Sequence, residues 1–135
     1  MASIENGKVM ARILVIDDDP QMRELLGEAL RTAGHEVFVA VDGKDGINKY
    51  RSGPTDLVIT DLYMPNQDGL ETIQAFQKEF YGVAIIAMCG KVGNAVPMLK
   101  VARQLGAVEV LQKPFFSHEL LAVVERVLKS EVRAG

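Results

Sequence analysis

The chain has 135 residues, of which 48% are hydrophobic and 24% are charged, and its formal net charge is −3 at pH 7. These values fit one globular domain, and the mild negative charge argues against direct binding of nucleic acid. The longest apolar run, residues 83–88, is too short to cross a bilayer, and the first residues lack the layout of a secretory signal. Because Cys89 is the single cysteine, no internal disulfide can form, and we expect a cytoplasmic location.

The organisation of the chain is read from its patterning. Residues 1–9 are polar and unpatterned, and we interpret them as an N-terminal extension. We expect one domain over residues 10–131 and a short tail at residues 132–135. Since no second domain follows, output would depend on a downstream protein partner or on an effector domain missing from this sequence.

Five short apolar runs alternate with segments of helical periodicity. The runs are rich in β-branched residues, which favours strands that are covered on both faces. They cover residues 13–16, 37–41, 57–59, 83–88 and 108–111. Five strands, each followed by a helix, predict an α/β fold with one parallel sheet.

Helices are predicted where apolar residues recur every three or four positions. The pattern is clear at residues 22–33, 98–105 and 120–128, and weaker near residues 47–50 and 73–80. Asp19 with Pro20, and Asn94 with Pro97, are typical helix starts. Gly34 and Gly106 are typical helix ends.

Polar residues follow the predicted strands at their carboxyl ends. Asp17 and Asp18 follow the first strand, Asp61 the third, Cys89 and Gly90 the fourth, and Lys113 the fifth. In open α/β sheets, sites lie at this edge, next to the point where the strand order reverses. With strand order 2-1-3-4-5, the first and third strands are neighbours, and the three carboxylates converge on one crevice.

Such a crevice would suit a divalent cation, because clustered carboxylates repel one another and a cation relieves that repulsion. Oxygen ligands without a His or Cys cluster favour Mg²⁺ or Mn²⁺. A carboxylate beside Mg²⁺ and a lysine is a suitable arrangement for forming an aspartyl phosphate. A single Asp after a strand is more often a helix cap, and we interpret Asp19 in that way.

Three segments together resemble the receiver domains of two-component response regulators. ILVIDDDP resembles the acidic-pair motif, DLVITDLYMPNQDG the segment around the phosphorylated aspartate, and LQKPF the lysine motif, where the family often has a cis Lys–Pro bond. The resemblance extends from about residue 11 to residue 130. It implies a single-domain, flavodoxin-like, doubly wound sheet of five parallel strands with five helices.

The resemblance also implies the roles of individual residues. Asp61 would be the phosphoacceptor and Lys113 would bind the phosphoryl group. Asp18 would bind Mg²⁺ directly, Asp17 mainly through water, and Tyr63 through its backbone carbonyl. Backbone N–H groups near Tyr63 and Gly90 would hold phosphoryl oxygens. The donor would be a phosphohistidine on a sensor histidine kinase or a histidine phosphotransfer protein, and the domain would act as a self-phosphorylating and self-dephosphorylating switch, not as a conventional turnover enzyme.

Two positions depart from the family pattern, and both concern output. Cys89 stands where the family usually has a Ser or Thr whose hydroxyl moves to the phosphoryl group, and a thiol is a weaker donor. Val110 stands where the family usually has an aromatic ring that turns inward, and valine has one short, stiff χ1. We therefore expect phosphorylation with weak or altered coupling to the face formed by the fourth strand, fourth helix and fifth strand.

Three other functions are compatible in part with such a fold. A receiver-like interaction module that works without phosphorylation is the main alternative, since partners could bind a fixed surface. A phosphohydrolase with an aspartate nucleophile would need an Asp-x-Asp motif and usually a cap domain. Dinucleotide binding would need a Gly-rich loop after the first strand, where this chain has three aspartates.

Overall fold

Seven strands and five helices make up the described part of the computed structural model, which comprises residues 2–5, 7–63, 69–90 and 95–134. The strands are β1 Ser3–Glu5, β2 Lys8–Met10, β3 Arg12–Ile16, β4 Glu36–Ala40, β5 Leu57–Asp61, β6 Ile85–Cys89 and β7 Glu109–Gln112. The helices are α1 Pro20–Thr32, α2 Gly43–Ser52, α3 Gly69–Glu79, α4 Ala95–Leu105 and α5 Ser117–Ala134.

The main sheet has five parallel strands in the order β4-β3-β5-β6-β7. Counted among the five predicted strands, this is the order 2-1-3-4-5, so the predicted α/β topology is confirmed. Helices α1 and α5 pack on one face of the sheet, and α2, α3 and α4 pack on the other. The strand order reverses between β3 and β5, which places the carboxyl ends of these two strands side by side.

The central strands are buried on both faces, which explains their unbroken apolar sequences. Along β3, Ile13 and Val15 contribute to the core under α1 and α5, whereas Leu14 and Ile16 contribute to the core under the other helices. All residues of β5 and β6 are buried. The site-bearing ends of these strands are therefore held between two packed layers.

The predicted start and ends of helices are largely confirmed. The Asp19 side chain caps α1 by accepting a hydrogen bond from the Gln21 N–H at 3.0 Å, and Pro20 occupies the first turn. Gly34 and Gly106 follow α1 and α4 with φ of 101° and 122°, a left-handed conformation that glycine adopts without strain. Asn94, predicted to start a helix, lies outside the described residues.

Residues 2–5 and 7–9, which belong to the predicted N-terminal extension, include strand residues. Strands β1 and β2 form an antiparallel hairpin in which Ile4 pairs with Val9. Val9 is only 4% exposed and joins the core under α1 and α5, so this part of the predicted extension packs against the domain. At the other end, α5 continues to Ala134 through most of the segment interpreted as a tail. None of the described helices is long and apolar enough to span a membrane.

Candidate functional site

The carboxyl ends of β3 and β5 bring three acidic side chains together, as the sequence predicts. Asp17, Asp18 and Asp61 each offer a carboxylate oxygen, and these oxygens lie within 4.8 Å of one another. Asp17 and Asp61 are buried, whereas Asp18 is exposed at the mouth of the cluster. We call these three residues the acidic pocket. Its donor set, made of carboxylates alone, could hold a hard divalent cation.

Lys113 reaches the acidic pocket from the end of β7. Its Nζ lies 3.2 Å from Oδ2 of Asp17 and 3.2 Å from Oδ2 of Asp61, so one ammonium group bridges the two buried carboxylates. The Lys113 backbone N–H donates to the Cys89 carbonyl at 2.7 Å, which ties the residue to β6. The Lys113–Pro114 peptide bond is cis, as the resemblance leads one to expect.

The charges in the acidic pocket are only partly balanced. Burial raises the pKa of Asp17, although the Asp19 N–H and Lys113 favour its ionised form. Burial alone would lower the pKa of Lys113, but Asp61 and Asp17 outweigh that effect and raise it. Lys113 is therefore a cation at neutral pH, and one positive charge faces three carboxylates. This imbalance is the electrostatic condition under which a second cation would be stabilised.

The Asp61 carboxylate is oriented by the chain around it. Oδ1 accepts a hydrogen bond from the Tyr63 N–H at 3.2 Å, while Oδ2 contacts Lys113. At the start of α3, Gly69 packs directly against the backbone of Asp61 and Leu62, where a Cβ would clash. Tyr63 follows at the surface, 41% exposed. The part of the DLVITDLYMPNQDG motif at residues 64–68 lies outside the described residues.

The two positions that depart from the family pattern lie beside this site. Cys89 ends β6 and is fully buried, and burial followed by the charge of Asp61 raises the pKa of its thiol. A neutral thiol is thus the form present at neutral pH. Val110 lies half-buried in β7 and packs against the core under α2, α3 and α4.

One residue at the site was missed by the sequence analysis. Arg23 in α1 donates from Nη1 to the backbone carbonyl of Asp17 at 2.7 Å. Its position four residues after the Asp19 cap was the available signal, because helical side chains lean towards the N-terminus of their helix.

Comparison with known proteins agrees with this geometry. The family model described as the response regulator receiver domain matches residues 13–125. The chain is 39% identical over 120 residues to the DNA-binding transcriptional regulator NtrC of Azospirillum brasilense. The aligned residues cover 89% of this chain and 24% of that protein. The chain thus spans about a quarter of the length of this curated relative.

Solved structures give the same result. The receiver domain of NtrX from Brucella abortus superposes with a TM-score of 0.82 at 28% identity, over 87% of this chain and 98% of that one. The chemotaxis protein CheY4 of Vibrio cholerae superposes with a TM-score of 0.78 at 29% identity, over 87% and 98% of the two chains. The chain belongs to the response regulator receiver domain family, a class of protein that works in two-component signalling.

Proposed function

We propose that this domain accepts a phosphoryl group on Asp61 from a phosphohistidine donor and signals by a change of conformation. The observation that carries the proposal is the convergence of the Asp61 carboxylate, the Lys113 ammonium group and two further carboxylates at one edge of the sheet. A bridging lysine and a carboxylate nucleophile match what phosphoryl transfer requires of a protein, namely position and charge.

The reaction follows from the chemistry of these groups. An oxygen of the Asp61 carboxylate attacks phosphorus, and a P–O bond forms as the P–N bond of the donor histidine breaks. The electron pair of that bond stays on the imidazole, which leaves as a neutral ring after taking up a proton. Lys113, already 3.2 Å from Asp61, offsets the negative charge that arrives with the phosphoryl oxygens. The Tyr63 N–H, bonded to Oδ1 of Asp61, is placed to donate to a phosphoryl oxygen.

Mg²⁺ is the cation we assign to the acidic pocket, with Mn²⁺ as a substitute. Asp18 and Asp61 would bind it directly, Asp17 mainly through water, and the Tyr63 carbonyl would add a further oxygen. When bound, the cation supplies charge neutralisation for the transferring group. This assignment rests on the all-oxygen donor set and on the excess of negative charge around Lys113.

We expect the domain to act as a switch, not as a turnover enzyme, with a sensor histidine kinase or a histidine phosphotransfer protein as donor. Its output would pass to a protein partner or to an effector domain, and its location would be cytoplasmic. Cys89 and Val110 motivate weak coupling between phosphorylation and the α4–β7 face. They also motivate the alternative, an interaction module that does not depend on phosphorylation.

Intact mass after incubation with acetyl phosphate tests the proposal. We expect one phosphoryl increment that requires Mg²⁺ and disappears in Asp61→Asn. Asp19→Asn is the matched control, because it makes the same chemical change beside the acidic pocket at a cap position that Asn fills equally well. An increment that persists in Asp61→Asn would contradict the assignment of the acceptor. No increment with acetyl phosphate or with a phosphohistidine donor would favour the phosphorylation-independent module.

A further inference from the structure

The peptide link between Asp17 and Asp18 lies at the acidic pocket, just after the end of β3. Successive residues of an extended strand point to opposite faces. Both aspartates nevertheless contribute an oxygen to the acidic pocket, so the backbone turns at their peptide link, directly after β3 ends at Ile16. The orientation of this link therefore decides whether Asp18 points into the pocket.

The chain around this link is held by three hydrogen bonds. The Asp17 N–H donates to the Ala40 carbonyl at 3.1 Å, and Oδ1 of Asp17 accepts from the Asp19 N–H at 3.0 Å. The third bond acts on the link itself, because the Asp17 carbonyl belongs to the Asp17–Asp18 peptide group. That carbonyl accepts from Nη1 of Arg23 at 2.7 Å, the shortest of the three bonds.

Arg23 is well anchored for this purpose. Its own N–H donates to the Asp19 carbonyl at 3.0 Å, and the first turn of α1 is fixed by the Asp19 cap and by Pro20. Arg23 is half-buried, and its guanidinium presents its donors in a rigid plane. Its reach back over the helix start therefore has little freedom.

The contact of Arg23 is with the backbone, not with a carboxylate. Nη1 of Arg23 donates to the Asp17 backbone carbonyl, whereas the Asp17 carboxylate accepts from the Asp19 N–H and contacts Lys113. In the ion pairs of the described residues, the buried carboxylates of the acidic pocket are matched with Lys113. Arg23 thus acts on the geometry of the acidic pocket more than on its charge.

We propose that Arg23 is a positioning residue that fixes the Asp17–Asp18 peptide link and thereby presets the divalent-cation site. The inference rests on the proposed function, since it assumes that the acidic pocket holds Mg²⁺ or Mn²⁺. The inference predicts the direction in which cation affinity changes when Arg23 is removed. Removing a positive charge near a cation site should strengthen cation binding by electrostatics alone, whereas removing a positioning group should weaken it.

The test is Mn²⁺ binding to the full chain, followed by the loss of the free-ion signal in electron paramagnetic resonance, with Mg²⁺ as competitor. We expect Arg23→Met to weaken binding by about 10–100-fold, the range found for groups that orient metal ligands. Arg23→Gln, which keeps a side-chain donor, should weaken binding less, and it serves as the second variant if Arg23→Met does not fold.

Arg31→Met is the matched control. It removes the same charge from the same helix, where Arg31 also donates to a backbone carbonyl, that of Val37. We expect it to leave Mn²⁺ affinity unchanged. Mn²⁺ binding by Arg23→Met as tight as in the wild type, or tighter, would overturn the inference while the proposed function stands. A wild-type chain that neither binds Mn²⁺ nor accepts a phosphoryl group would overturn both.

Discussion

The acidic pocket and the region of β6 and β7 that carries Cys89 and Val110, called here the β6–β7 region, differ in how fully they match what the resemblance implies. The three carboxylates of the acidic pocket lie together, and Lys113 contacts the two buried ones, as the resemblance implies. In the β6–β7 region, Cys89 and Val110 replace the hydroxyl and the ring of the usual switch. Cys89 is fully buried, and the half-buried Val110 packs against the core under α2, α3 and α4.

The fold therefore restricts the side chains of the acidic pocket more than those of the β6–β7 region. Buried carboxylates are stable only with their charge partners, so the acidic pocket is retained or lost as a unit. A core position at a strand end accepts a thiol as readily as a hydroxyl. We therefore expect that output can be altered in this domain while the acidic pocket is kept.

The largest effect is expected at Lys113, which tests the charge pairing at the acidic pocket. Lys113→Met removes the cation that bridges Asp17 and Asp61, and we expect the rate of phosphorylation by acetyl phosphate to fall by about 100-fold or more. Affinity for Mn²⁺ should rise at the same time, because a like charge is removed. Lys129→Met, which removes a surface charge paired with Glu125, should change neither quantity. An unchanged rate in Lys113→Met would contradict the role given to this residue.

The next effect concerns the fit between α3 and the acceptor strand. Gly69→Ala would push a Cβ into the backbone of Asp61 and Leu62. We expect the free energy of unfolding in urea to fall by about 1–3 kcal/mol, as for other overpacked sites, and phosphorylation to slow. Gly53→Ala is the control, since its Cβ would meet only the end of the Arg12 side chain at 3.6 Å. Equal stability of the two variants would count against a tight contact at Gly69.

A smaller effect is expected at Cys89, which tests the coupling between the acidic pocket and the β6–β7 region. Cys89→Thr restores a strong donor at the end of β6, and we expect phosphorylation to produce larger amide shift changes over α4 and β7 in this variant than in the wild type. Heteronuclear NMR spectra with and without acetyl phosphate and Mg²⁺ measure this difference. Cys89→Ala, which has no donor, is the control. Wild-type shifts as large as those of Cys89→Thr would show that the thiol does not weaken coupling.

The acidic pocket was predictable from sequence because its geometry follows from the topology. Once five buried strands are recognised, parallel order brings the residues at the carboxyl ends of β3, β5 and β7 to one edge. The hairpin of β1 and β2 was missed because its strands are short and mostly exposed, although Asn6-Gly7 is a strong hairpin signal. Arg23 was missed because its partner is a backbone carbonyl, and the sequence shows the place of Arg23 in the first turns of α1 but not that partner.

The smallest effect lies at the far end of the sheet and serves as a contrast to the acidic pocket. His35 is buried and accepts the Ala11 N–H on Nδ1 at 3.2 Å, and burial lowers its pKa below 6.5 although Glu125 opposes this. With a lowered folded-state pKa, its contribution to stability is present above the unfolded pKa and is lost as pH falls through the folded pKa. The slope cannot exceed that of one proton, about 1.4 kcal/mol per pH unit.

Urea unfolding between neutral and mildly acidic pH measures this contribution. His35→Asn keeps an acceptor for the Ala11 N–H but does not titrate there, so its stability should fall less steeply below pH of about 6.5 than that of the wild type. His118, the other histidine, is exposed and stacked on Phe116, and His118→Asn is the matched control for the chemical change from His to Asn. Identical slopes in the wild type and His35→Asn would contradict the buried, neutral state of His35.

The most direct test of the central claim is to locate the phosphoryl group after reaction with acetyl phosphate and Mg²⁺. Borohydride reduces an aspartyl phosphate to homoserine, and peptide sequencing by tandem mass spectrometry then identifies the position. We predict homoserine at residue 61, and at no other aspartate, in the wild-type chain only when Mg²⁺ is present. Homoserine at Asp17 or Asp18, or the same yield without Mg²⁺, would contradict the assignment of Asp61 as a metal-assisted acceptor.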